Sequence, residues 1–166
     1  MVGREGYEAF MMHPPEVAGM WEHLKECSFS GEDWWVLSTM ITAGFMHGDL
    51  VHWGTNMVYF WMFGSLLAEL IGRWRTLGVF VVTAFAGSAC DAYLRSSEMV
   101  PSLGASGGVM GLEGAYLGLA LRFMLPNPET WPLARPISPA QLVIFALIGI
   151  AFDLRGLWQG IGNTAY

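Results

Sequence analysis

The stretch that decides the fold is GASGGVMGLEGAYLGLALR, residues 104–122, an apolar run that begins with a serine between small residues. Small residues recur in it every three or four positions and so share one face of a helix: Gly107, Gly111, Ala115 and Gly118. Inside a membrane, small residues let helix backbones approach closely. This face therefore predicts a packing surface for a neighbouring helix, with Ser106 at the start of its own helix.

The composition extends this interpretation to the whole chain. Of its 166 residues, 54% are hydrophobic and 13% are charged, which is typical of a membrane protein. A spanning helix needs about 20 mainly apolar residues. We predict an all-α, multi-pass transmembrane helical bundle with about four spanning helices, at residues 50–71, 76–94, 103–125 and 140–152, the last extended to residue 157.

The first 33 residues differ from the rest, with seven acidic side chains against Arg4 and Lys25. We predict an acidic extramembrane or interfacial segment over residues 1–33, irregular in structure, and a membrane domain over residues 34–166. Pro14-Pro15 predicts an extended stretch, and residues 30–33 predict a turn before a helix near Trp34. No basic patch suggests nucleic-acid binding, and Cys27 and Cys90 are too isolated to predict a disulfide or a metal site.

Charge predicts the orientation in the membrane. Arginines cluster in two of the three connections between the predicted spans, at Arg73 and Arg75 and at Arg122 and Arg135. The positive-inside tendency places both connections in the cytoplasm. The helices that carry His52 and Ser106 would then both begin at the outer, non-cytoplasmic face of a plasma or inner membrane.

His52 and Asn56 are the polar side chains that accompany Ser106. They lie four positions apart, so they share one helical face, and polar groups inside a span tend to mark function or an interior partner. A serine with two hydrogen-bond donors suggests acyl-transfer chemistry. The alternatives are a packing or capping serine and a structural hydrogen bond between helices. His47 is interpreted as a loop histidine, and Glu113 as a buried acid that pairs across the bundle.

The sequence resembles the rhomboid intramembrane serine proteases in three stretches taken together: HGDLVHWGTN at residues 47–56, Phe63-Gly64, and GASG at residues 104–107. The resemblance runs from about Trp34 to the end of the chain, over what look like the second to fifth of six core helices. It implies that Ser106 is the nucleophile and that His52, Asn56 and the Ser106 backbone N–H form the oxyanion hole. It also implies site-shaping roles for residues around them: His47, Gly104 and Gly107.

The resemblance has three departures. The chain has no spanning helix before the acidic segment, Met110 stands where the family usually has an aromatic residue, and no histidine follows His52. The family carries its general-base histidine on the sixth helix, which we expect beyond Tyr166 in a longer parent. We thus expect a truncated serine-type endopeptidase that cleaves transmembrane protein substrates without cofactor or metal, and that is inert as this chain alone. The alternative is a non-catalytic, rhomboid-like binder or chaperone of membrane proteins.

Overall fold

The computed structural model describes residues 6–125 and 138–158, and these residues form a bundle of helices. The predicted all-α class is confirmed. Two short 3₁₀ helices, Gly6–Phe10 and Ala43–Phe45, accompany the main helices: α1 (Pro14–Lys25), α2 (Gly31–Thr42), α3 (Leu50–Ile71), α4 (Arg73–Leu94), α5 (Ser106–Arg122) and α6 (Pro139–Trp158). Arg135 and the residues after Trp158 lie outside the described ranges.

The four predicted apolar segments are all helical, and α3 has the predicted bounds. By length and hydropathy, α4 is the one helix within the described ranges that could cross a membrane by itself. A shorter apolar stretch, Ala140–Ala151, lies within α6. The count of four spans is therefore only loosely supported, since α5 is 17 residues long and α3 carries polar side chains such as His52 and Asn56.

Helix α5 lies at the centre of the bundle and packs against α3, α4 and α6. Its small residues form the predicted contact with a neighbouring helix, and that helix is α4. A Cβ placed on Gly107 would lie 3.5 Å from the Cα of Gly87, and one placed on Gly111 would overlap Thr83. Gly118 has no atom within 4 Å of its Cβ position, so the packing face ends before it. The apolar core that includes α5 contains five large side chains that are at most 2% exposed: Phe63, Leu67, Leu112, Tyr116 and Leu142.

The N-terminal region corrects two predictions. Pro14 and Pro15 do not form an extended stretch; they occupy the first turn of α1. Proline is well suited there, because its fixed φ is helical and its missing N–H would have no partner in the helix. The region is also not irregular, since α1 buries Val17 and Met20 in a second apolar cluster with Met40 of α2.

Helix α2 begins at Gly31, three residues before the predicted start. Ser30 is its N-cap, and the Ser30 backbone N–H and hydroxyl donate to Asp33 Oδ2 at 2.6 and 2.8 Å. His23 Nδ1 at the end of α1 lies 2.8 Å from Asp33 Oδ1. This hydrogen bond raises the pKa of His23 and lowers the pKa of Asp33. The contact therefore joins α1 to the start of α2 as an ion pair when His23 is protonated.

Backbone and side-chain hydrogen bonds hold the segment that precedes α5 in place. Met12 and Ser102 exchange two backbone hydrogen bonds, of 3.1 and 2.7 Å, and the Gly104 N–H donates to the Ala43 carbonyl at 2.8 Å. Arg95 at the end of α4 donates to the Val100 carbonyl at 2.9 Å. These contacts determine where α5, and hence Ser106, begins.

Candidate active site

The start of α3 sets the positions of His52 and Asn56. Asp49 is the N-cap, and its Oδ1 accepts the backbone N–H groups of Val51 and His52 at 2.7 and 2.8 Å. These hydrogen bonds, with that from His52 the stronger, lower the pKa of the Asp49 carboxyl. An ionised cap satisfies N–H groups that have no acceptor within the helix. His52 therefore lies in the first turn of α3, and Asn56 follows one turn deeper.

Ser106 is the first residue of α5, directly after the N-cap residue Ala105. The first N–H groups of a helix have no intrahelical acceptor and carry the positive end of the helix dipole. Helix starts of this kind bind anions. The Ser106 hydroxyl therefore stands beside backbone donors that favour a negative charge.

Gly104 brings His52 and Ser106 together. Its φ is +125°, a conformation that side chains rarely adopt. A Cβ at Gly104 would lie 2.8 Å from His52 Cε1, 3.0 Å from His52 Nε2 and 3.8 Å from Ser106 Oγ. The imidazole and the hydroxyl thus both lie within 4 Å of the same point, and the closeness of the imidazole leaves no room for a side chain at Gly104.

Ser106 and Asn56 line one cavity of about 190 Å³ between α3, α5 and α6. Asn56 is 7% exposed, and its Nδ2 finds no hydrogen-bond partner among the described residues. A buried donor without a partner is costly and rare, so it indicates a missing ligand or a functional role. The remaining residues of the cavity wall are Thr55, Tyr59, Val109, Met110, Glu113 and Gly149.

His47 stacks edge-on against His52, with ring centroids 5.4 Å apart and planes at 71°. Its pKa is lowered, first by burial and then by repulsion from the neighbouring His52, against the opposing effect of a hydrogen bond at Phe45. Its surroundings therefore favour the neutral form of the His47 imidazole. His47 lies in the loop before α3, as predicted, and its role in fixing the start of α3 stays a prediction.

Sequence reasoning missed the deeper half of the cavity. Ser106, Met110 and Glu113 follow one another at spacings of four and three, and this pattern could have placed them on one face of α5. Gly149 of α6 also lines the cavity, and no local pattern in the sequence predicts this contact between distant residues. No group of three or more His, Cys, Asp or Glu side chains suited to a metal occurs within the described ranges.

The fold and the site define a class: an α-helical bundle of membrane type that holds a serine at a helix start beside a buried amide donor. The family model described as the Rhomboid domain matches residues 32–165. The chain belongs to the rhomboid family, which is embedded in membranes.

Curated relatives agree with this assignment. The chain is 33% identical to RHOMBOID-like protein 6, mitochondrial, of Arabidopsis thaliana over 127 residues, which cover 76% of the chain and 38% of that protein. It is 27% identical to Rhomboid protein 1, mitochondrial, of Saccharomyces cerevisiae, covering 77% and 36%. With Rhomboid protease AarA of Providencia stuartii it shares 22%, covering 87% and 54%.

The chain thus spans about a third to a half of the length of these relatives. No solved structure matches it.

Proposed function

We propose that this chain is the serine-bearing part of an intramembrane serine endopeptidase that cleaves transmembrane protein substrates. The observation that carries the proposal is the shared cavity, whose wall includes both Ser106 and Asn56, and the Asn56 Nδ2 is buried without a hydrogen-bond partner among the described residues. Two relatives are named proteases, AarA of Providencia stuartii and GluP of Bacillus subtilis.

In the proposed reaction, Ser106 Oγ bonds to the scissile carbonyl carbon, and the carbonyl π electrons move to oxygen. The Asn56 amide, the His52 ring and the Ser106 backbone N–H donate to that oxyanion. Donors placed in advance for a developing charge are worth about 10²–10³ in rate each. Asn56 is suited to this task because its amide is held in place by burial, and it gains a partner when the oxyanion forms.

The proton of Ser106 passes to a general base, which then protonates the leaving amine; water releases the acyl group in a second step. The family pattern assigns the base to a histidine on a further helix of a longer parent. Residues of this chain would bind the substrate, supply the nucleophile and stabilise the charge. No step calls for a cofactor or a metal.

The experiment compares Ser106→Ala with Ser65→Ala in the complete protein as its gene encodes it, reconstituted with single-span substrate proteins. Ser65 is a half-buried serine of α3 whose hydroxyl donates to the Met62 carbonyl, away from the cavity. We expect Ser106→Ala to abolish cleavage and Ser65→Ala to preserve it. Full cleavage by Ser106→Ala would show that Ser106 is not the nucleophile. If the wild type bound membrane proteins without cleaving them, the non-catalytic alternative would replace the protease proposal.

A further inference from the structure

A second cavity lies where α1 packs against the last two turns of α4. It shares no lining residue with the cavity beside Ser106. Its volume is about 550 Å³, against about 190 Å³ for the cavity beside Ser106. Sites for small molecules usually measure about 300–1,000 Å³. The cavity between α1 and α4 is therefore large enough for an organic ligand.

Most of the side chains that line this cavity are apolar. Three of them are alanines, Ala18 of α1 and Ala89 and Ala92 of α4, whose small size leaves space between the two helices. Trp21 of α1 and Tyr93 of α4 contribute aromatic rings, and they are 38% and 81% exposed. Tryptophan and tyrosine are enriched where a membrane meets water, because each combines an apolar ring with a polar group. The lining thus suits the boundary of a bilayer.

The position of the cavity along α4 leads to the same conclusion. Helix α4 is long and apolar enough to cross a membrane, and the chain belongs to a membrane-embedded family. The ends of a spanning helix reach the headgroup region of the bilayer. The cavity lies at the end of α4 that reaches Leu94, and Ser96 just beyond that end is also part of the wall. Phospholipids therefore surround this part of the protein and are the molecules available to fill the cavity.

Two charged side chains in the wall identify the kind of headgroup. Glu22 and Lys25 of α1 line the cavity, and Lys25 Nζ donates to Glu22 Oε1 at 2.7 Å. This bond uses one of three ammonium N–H groups and one of two carboxylate oxygens. The Lys25 and Glu22 side chains are 69% and 63% exposed, so each charge can bind a second partner. Adjacent opposite charges complement a zwitterionic headgroup, in which a phosphate and a cation are likewise adjacent.

We propose that this cavity is a binding site for one phosphatidylethanolamine molecule. An acyl chain lies between the alanines and the aromatic rings, the phosphate accepts hydrogen bonds from Lys25 Nζ, and the ammonium donates to the Glu22 carboxylate. Ethanolamine is favoured over choline because its ammonium has N–H groups to donate, whereas trimethylammonium has none. A phosphatidylglycerol headgroup would satisfy Lys25 and leave Glu22 beside a neutral glycerol. The site does not depend on the proposed protease activity, since it shares no residue with the Ser106 cavity.

The test measures lipid binding to the complete protein as its gene encodes it, delipidated in a mild detergent. Single-chain lysophospholipids with the same acyl chain and an ethanolamine, choline or glycerol headgroup are titrated, and native mass spectrometry counts the bound molecules. We expect one saturable site that binds the ethanolamine lipid about 5-fold more tightly than the other two, since an exposed charge pair is worth up to about that factor. Equal affinities for the three headgroups would overturn the proposal, and so would the lack of a saturable site.

Two variants assign the binding to this cavity. Ala89→Phe fills the space between α1 and α4, and it should abolish binding of all three lipids. Glu22→Gln removes the charge that faces the ammonium, and it should reduce the preference for ethanolamine over glycerol to about 1. The matched control is Glu26→Gln, which removes an exposed carboxyl just after α1 that does not line the cavity. Unchanged binding in Ala89→Phe would overturn the proposal. So would an unchanged preference in Glu22→Gln, even if Ala89→Phe did not fold.

Discussion

The contact between α4 and α5 at Gly111 allows a quantitative test of the packing that holds Ser106. A Cβ on Gly111 would overlap Thr83, including the Thr83 Cβ, which is attached to the backbone of α4. The Thr83 hydroxyl donates to the Val79 carbonyl at 2.8 Å and is thereby held in place. Gly111→Ala therefore requires the two helices to separate. Overpacking of a tight contact costs about 1–3 kcal/mol, and we expect a loss of that size in the free energy of unfolding.

Gly118→Ala is the matched control on the same helix. No atom lies within 4 Å of its Cβ position, so the added methyl group meets open space. Replacing glycine by alanine inside a helix stabilises it by roughly 0.5–1 kcal/mol. The two variants make the same chemical change, yet their free energies of unfolding should differ by about 1.5–4 kcal/mol.

The assay is reversible unfolding in mixed micelles of a mild detergent and dodecyl sulfate, followed by far-UV circular dichroism. The midpoint should move to less dodecyl sulfate for Gly111→Ala and to slightly more for Gly118→Ala. Equal shifts in the two variants would refute the reasoning, since the close approach of α4 and α5 would then have no energetic weight.

Two further predictions concern the site and the N-terminal region. Gly104→Ala places a methyl group 2.8 Å from His52 Cε1 at a residue whose φ is +125°. We therefore expect at least a 100-fold loss in the rate at which a fluorophosphonate labels Ser106 in the complete protein. Labelling at the wild-type rate would contradict this prediction. The contact of His23 with Asp33 predicts a pH-dependent melting temperature. Because the pKa of His23 is raised above 6.5, its stabilisation is complete below that pH and disappears as the pH rises through the raised value. Because the pKa of Asp33 is lowered below 3.8, its stabilisation is present above that pH and disappears as the pH falls through the lowered value. His23→Gln should therefore abolish the decline on the alkaline side, and an unchanged pH profile would contradict the assignment.

Local patterns in the sequence were enough for the helices that carry the site. An apolar run predicted a helix over residues 50–71, and α3 begins and ends at these residues. The spacing of four between His52 and Asn56 placed both on one face, and the small residues of α5 predicted a contact with a neighbouring helix, which the structure shows to be α4. These features depend on helical periodicity, which is local.

The errors concern features that local patterns leave open. Pro14-Pro15 is compatible with an extended segment and with the first turn of a helix. The helix forms here because it buries Val17 and Met20 in the second apolar cluster. The place of Glu113 in the cavity depends on Gly149, a residue of another helix. The roles of Ser106, His52 and Asn56 in catalysis stay predictions, since they depend on a substrate and a base.

The pairing of Met12 with Ser102 has a consequence for the order of events during synthesis. The two segments are made far apart in time, because a ribosome adds about 5–20 residues per second. Both α3 and α4 are synthesised before Ser102 can exchange backbone hydrogen bonds with Met12. Long-range pairings of this kind form late. A nascent chain would therefore carry no assembled nucleophile while its own helices are entering the membrane, and the proposed protease would become competent only after its bundle has closed.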